Sequence, residues 1–290
     1  MRIVPHIKQA VKTRAKDARE RRAQCDARGK MQDHFEGEPL PHWTRWLQGT
    51  GRVEAGESTL RLVTWDARAG EYSDAQLDDY HGLRRSQWPW RPPLRMSVRA
   101  RASQAEPVGT AGFGFWNDPF TLSGRVLALP EAVWFFYASP PSDMALVPGV
   151  PGRGWKASVV NTTLAGALLS GLPTALTVLW ARLTGPARST SAARWVQRIS
   201  GAHEAPLHLD WTAWHTYELE WLPDAATFWV NGSKILRAPH PPAGPLGFVT
   251  WVDNQFAIAT PRGEFRFGTL DAPGRQWLEL DWIQIETQDP

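Results

Sequence analysis

The chain has 290 residues, 42% of them apolar and 21% charged, with a net charge of +3. That length admits one large all-β domain with appendages or two small domains, and the composition is that of an ordinary soluble globular protein. Cys25 is the only cysteine, which excludes an intrachain disulfide and multi-cysteine metal sites.

The charge is unevenly placed. Ten Lys/Arg against Asp17, Glu20 and Asp26 give residues 1–30 a charge of +7, leaving −4 on the remainder. The body is mildly acidic, which argues against nucleic acid as its partner. The opening MRIVPHIKQAVKTRAKDARERR has no apolar run of roughly 7–15 residues and no small-residue cleavage site, so it is not a secretory signal and the expected location is cytoplasmic. Ile3, Ile7, Val11, Ala15 and Ala18 fall at near-helical spacing among basic residues. Residues 1–30 therefore read as a basic tail or amphipathic helix, and 1–22 offer a peripheral contact with an anionic membrane or a partner.

From about residue 31 the pattern is of short strands between Gly, Pro and Asp turns. Val53–Glu54 and Thr59–Thr64 suggest a hairpin about Ala55–Gly56. In 94–102, Leu94, Met96, Val98 and Ala100 alternate onto one face. Strands follow at 110–116, 132–138 and 155–160, and then at 216–221, 227–230, 246–252, 264–267 and 277–286, with Asn231-Gly232 as a type I′ turn. Strands so spaced, without alternating helices, predict an all-β fold, a two-sheet antiparallel sandwich over 31–290.

One segment breaks the pattern. Residues 157–181 carry no charge, and Leu164, Leu168, Leu172, Leu176, Leu179 and Leu183 recur at helical spacing, with a kink expected at Pro173. A second helix over 188–200 would carry Arg188, Arg194, Trp195 and Arg198. The insert at about 160–205 reads as a helical hairpin. It is not a membrane span, because the flanking strands must rejoin one sheet on the same side. Packing on the body, a lid over a ligand and, for residues 162–200, contact with a membrane surface all remain open for it.

Three stretches carry a resemblance. WHTYELEWLPDAATFWVNGSKI (214–235), LELDWIQIE (278–286) and FEGEPLPHW followed by GRVEAGESTLRLVT resemble, in order and spacing, a hairpin, the terminal strand and the opening strands of glycoside hydrolase family 16. That family belongs to the concanavalin A-like lectin/glucanase superfamily. The resemblance covers most of 33–290 outside the insert, and implies a jelly roll whose concave face binds a chain-like ligand. It also implies a Glu-x-Asp-x-Glu strand, since retaining hydrolysis needs two carboxyl groups about 5–5.5 Å apart and alternate residues of a strand share a face. The matching strand here is PEAVWFFYA, 130–138. Aligned on Glu131, Val133 and Phe135 stand at the other two carboxylate positions, so the double displacement of that family is not expected.

Asp118, Asp143 and Asp253, with Glu131, are the candidate catalytic carboxyl groups, each near a strand end, where an Asp equally serves to cap a turn. Trp116, Asn117, Val133, Trp134, Phe135, Trp155, Trp251, Asn254 and Gln255 are the candidate ligand-binding residues. Gly112 and Gly114 beside Trp116 are expected to leave room for a ligand. No metal site is expected from the eight histidines. No cofactor is expected, with a structural calcium the one exception the superfamily suggests. The partner is an oligosaccharide or an apolar small molecule, and the oligomeric state is left open.

Overall fold

The computed structural model describes residues 29–119, 128, 130–147, 149–162, 201–259 and 265–288. The expected helices over 157–181 and 188–200, and the tail 1–22, lie outside these residues, apart from 157–162. There, the charge-free stretch begins as strand.

Among the described residues seventeen strands follow in chain order: β1 Lys30–Asp33, β2 Thr44–Gln48, β3 Arg52–Ala55, β4 Leu60–Ala67, β5 Asp74–Asp78, β6 Leu94–Ala102, β7 Thr110–Trp116, β8 Glu131–Ala138 and β9 Gly154–Asn161, then β10 His203–Pro206, β11 His215–Trp221, β12 Ala225–Val230, β13 Ser233–Pro239, β14 Gly247–Asp253, β15 Gln255–Ala259, β16 Phe265–Thr269 and β17 Ala272–Thr287. One sheet of eight runs β13-β12-β11-β6-β17-β4-β3, with β1 also on β17; one of seven runs β10-β9-β8-β7-β14-β5-β2; β15 and β16 form a separate hairpin. Every strand pair is antiparallel.

The two-sheet sandwich read from the sequence is thus the fold. Among the described residues its first strand is Lys30–Asp33, which pairs with the C-terminal half of β17. Strands β1, β2, β5, β10, β13 and β15 were not expected; their residues are too polar or too few to alternate visibly. Asn231 and Gly232 sit at φ 50° and 76°, the two left-handed residues of a type I′ turn.

Between the sheets lies an aromatic core. Phe113 meets Phe135, Trp155 and Tyr217, at ring centroids 5.6, 5.7 and 5.1 Å. Phe115 meets Trp221 and Phe248 at 5.4 and 5.8 Å. Leu94, Met96, Val98 and Ala100 close it from β6, all on one face as the alternation requires.

The insert leaves from β9 and returns on β10, which pair from His203 opposite Val159 to Pro206 opposite Lys156. Its two ends therefore belong to adjacent strands of the seven-stranded sheet.

The central strand β7 is fixed in place by what it lacks. A Cβ on Gly112 would lie 2.3 Å from the carbonyl oxygen of Phe135 and 2.9 Å from the Trp251 ring; on Gly114, at φ 146°, it would lie 2.6 Å from Trp134 Cα. Backbone on the neighbouring strand cannot yield as a flexible side chain does. Gly112→Ala is expected to destabilise the fold by about 1–3 kcal/mol, read from the midpoint of urea unfolding with an unchanged slope.

Candidate functional site

The cross-strand register shows which side chains share the outer face of the seven-stranded sheet. One row runs Glu204, Ser158, Trp134, Gly114, Val249, Asp78 and Thr44; the next runs Pro206, Lys156, Phe136, Gly112, Trp251, Gln76 and Trp46. Trp116 and Ala132 face one another in the row before these, and Thr110, Asp253 and Asp74 in the row after.

These rows build an aromatic floor outside the core. Trp134 is stacked on Phe136 at 5.2 Å and 22°, with Trp251 5.3 Å and Trp116 5.9 Å from it. Phe136 and Trp251 are 5.9 Å apart. Trp134 and Phe136 are half-buried, while Trp116, Trp251, Tyr80 and Trp88 are buried around them. The Trp116 indole donates to the Tyr80 hydroxyl (2.8 Å), and Tyr80 lies 4.4 Å from Trp88.

The structure corrects several expectations. Val133 and Phe135 point inward and are fully buried in the core; the outward positions of β8 are Ala132, Trp134 and Phe136. Glu131 shares the inward parity at the start of the strand. It is half-buried, and burial raises its pKa. Trp155 also belongs to the core, stacked on Trp211 at 4.8 Å. The glycines of β7 leave no vacancy for a ligand, since the Trp251 ring and the base of Trp134 occupy the space above them.

Other candidates hold loops. The Asn117 side-chain oxygen accepts from the Glu131 amide at 3.1 Å, and Arg85 donates to the carbonyls of Asn117 and Asp118. Asp118 is fully buried at φ 44°. Asn254 accepts from the Ser73 amide (3.0 Å) and donates to the carbonyls of Arg68, Glu71 and Leu270. Asp143 is exposed and bridges to Ile258 through backbone. Trp116, Trp134 and Trp251 are therefore the residues the structure brings together.

Asp253 lies against the floor but is buried. Its Oδ1 accepts from the Thr110 amide (3.0 Å), the Thr110 hydroxyl (2.8 Å) and the Gln255 amide (2.9 Å). Burial nevertheless pushes its pKa up to about 6, despite these hydrogen bonds. Asp74, opposite it on β5, is raised well above the usual range, first by burial and then by the Asp253 charge.

Several floor residues were not among the candidates. Phe136 lies one residue from an inward-facing aromatic, so its sequence position gave no parity. Lys156 Nζ donates to Glu204 Oε1 at 2.8 Å and both side chains are buried, with Ser158 donating to the same oxygen at 3.3 Å. Burial raises the Glu204 pKa against the opposing charge of Lys156. Glu204 Oε2 is buried and without a hydrogen-bond partner. At the other side of the floor, Trp46 stacks on His81 at 4.7 Å, and His81 Nδ1 is 3.6 Å from Asp78 Oδ2. No sequence spacing links these residues, since they come from β2, β9, β10 and the turn after β5. Among the described residues no three His, Cys, Asp or Glu side chains gather as a metal site.

Solved structures share this fold. An endo-acting O-glycanase of the human gut microbiota aligns with 89% of this chain and 99% of its own, at 13% identity and a TM-score of 0.54. An immunostimulatory antigen and pseudo β-1,3-glucanase of Mycobacterium tuberculosis aligns over 89% and 98%, at 12% identity and 0.52. LamAcat of Zobellia galactanivorans aligns over 89% and 96%, at 12% and 0.50. The fold is the glucanase-type jelly roll. No family model and no curated protein matches the sequence.

The Asp253 pKa has a sign that can be checked. Because it is raised from 3.8 to about 6, the folded state holds more protons than the unfolded between those values. Stability therefore falls as pH rises through that window, by up to about 3 kcal/mol. Buried His42, lowered to about 4 chiefly by burial, acts oppositely: the stability that its neutral form provides is lost as pH falls from 6.5 toward 4. The difference between proteins isolates Asp253. Asp253→Asn is expected to be more stable than the parent at pH 7, with the gain vanishing near pH 4 in urea titrations.

Proposed function

We propose that the protein binds a carbohydrate chain on the aromatic floor of the seven-stranded sheet and does not cleave it by the double displacement of glucanases. The observation that carries this reading is the outward face of β8, with Ala132, Trp134 and Phe136 where alternate carboxylates would have to stand. Sugar rings present apolar faces to indoles and hydroxyls to the polar groups around them. Trp134 and Phe136, stacked and half-buried, supply the former. The partly exposed His81, stacked on Trp46 at the margin of the floor, supplies the latter. The jelly roll shared with glycan-acting proteins supports this reading by fold alone.

A second reading has its own support. Ala132, Val160 and Val249 pack with the rings of this face, a lining that also suits an apolar small molecule. Calorimetry with soluble β-glucan and mucin-type oligosaccharides, set beside an apolar fluorescent probe, separates the two. Trp134→Ala is expected to weaken oligosaccharide binding five- to tenfold, the worth of one aromatic face at about 1–1.5 kcal/mol, measured at a temperature well below the lowered melting point that loss of its ring contacts produces. Silence across the glycan panel with tight uptake of the apolar probe overturns the carbohydrate reading.

A further inference from the structure

The Asp253 carboxyl is walled in, with donors on its Oδ1 and only 3% of the residue exposed. Such a group cannot reach a ligand. It does reach the floor by one relay. The Trp251 indole N–H donates to Thr110 Oγ1 at 2.9 Å, and the Thr110 hydroxyl donates to Asp253 Oδ1 at 2.8 Å. A hydroxyl that gives its proton to a carboxylate is a stronger acceptor in turn. The Trp251 ring lies 5.3 Å from that of Trp134 and fills the space above Gly112, so nothing larger than glycine is tolerated beneath it.

We propose that Asp253 is a positioning residue of this face: through the Thr110 hydroxyl it holds the Trp251 indole over Gly112, and so sets the platform on which Trp134 and Phe136 meet a ligand. The ligand half of this inference rests on the carbohydrate-binding reading above; the positioning half does not.

The groups facing Asp253 define how the relay responds to pH. Asp74 lies directly across from β5, with Tyr72 just before that strand. On the other side, β7 presents Thr110 and, beyond it, β8 presents Ala138, neither of which titrates. Burial and the neighbouring charge favour the protonated form of Asp74. Asp253 is then the group whose charge changes in mildly acidic solution, and its protonation removes the anionic acceptor at the end of the relay.

The test is made on the full chain by following the Trp251 indole N–H resonance, assigned by its loss in Trp251→Phe. In the parent it is expected to exchange slowly with solvent and to titrate with a midpoint near pH 6. Thr110→Val should speed that exchange about tenfold or more and weaken β-glucan oligosaccharide binding several-fold, consistent with one lost buried hydrogen bond. Thr110→Ser should behave as the parent. Asp253→Asn, which keeps an acceptor oxygen, should keep the indole protected and abolish the titration. An indole still protected in Thr110→Val, or still titrating near pH 6 in Asp253→Asn, overturns the positioning role. If the parent binds no oligosaccharide, the carbohydrate reading falls, while the indole measurements still decide whether Asp253 holds Trp251.

Discussion

The structure depends on one sheet carrying aromatic rings on both faces. In β7, Phe113 and Phe115 point to the core and Gly112, Gly114 and Trp116 point outward. In β8 the same alternation sends Val133 and Phe135 inward and Trp134 and Phe136 outward. Strands stand only about 4.8 Å apart, too close for large side chains to lie flat on every strand of one face. Two glycines on the central strand resolve the crowding. Trp134 and Trp251, from the strands on either side, lean across β7 until their ring centroids are 5.3 Å apart. The floor is thus a packing consequence of two missing side chains.

The eight-stranded sheet treats its outer face differently. There Glu279, almost fully buried, accepts from Arg61 and Arg101 at 2.9 and 2.7 Å. Those guanidinium groups in turn cover Trp277 at 4.9 and 5.5 Å, and Arg101 lies 4.6 Å from Trp214. Two indoles there, Trp277 and Trp214, are capped by cations that are themselves paired, while Trp65 stands exposed on β4. On the seven-stranded sheet the rings cover one another, and the polar groups stand at the margins. Glu204 with Lys156 flanks one side, and Asp78 with His81 and Trp46 the other. The contrast between two faces of one sandwich is what singles out the aromatic floor.

Much of this architecture was legible in the chain, and the failures have physical causes. The strands at 94–102 and 216–221 were readable because one parity is apolar and the other polar or charged. Asn231-Gly232 announced its turn because few other pairs accept two left-handed residues. In PEAVWFFYA both parities are apolar, so alternation carried no information on which side faced the core, and the alignment on Glu131 chose the wrong one. Strand β5, DAQLD, hid itself because its outward residues Asp74, Gln76 and Asp78 are polar yet buried. Trp116, Trp134 and Trp251 could be named from local pattern. Lys156 and Glu204 meet only because β9 and β10 pair across the insert, a fact that no local spacing encodes.

The same register bears on chemistry. Two-carboxylate hydrolysis needs separations of about 5–5.5 Å for retention, or about 6.5–9.5 Å for inversion. Among the described residues the buried carboxyl groups of the outer face around the floor are Glu204 on β10, Asp253 on β14, and Asp74 and Asp78 on β5. Four strand steps separate β10 from β14, which at about 4.8 Å each is roughly 19 Å. Asp74 does lie opposite Asp253, but both are sealed among neighbouring residues rather than presented to a ligand, and β8 between the flanks offers only hydrocarbon. Glu204 is besides already tied to Lys156, so its charge is spent within the protein. On this surface rings stand at the centre and the buried acids at the edges. Among the described residues the outward positions of β8 hold Ala132, Trp134 and Phe136 and no acid, and the proposed binding role rests on that arrangement.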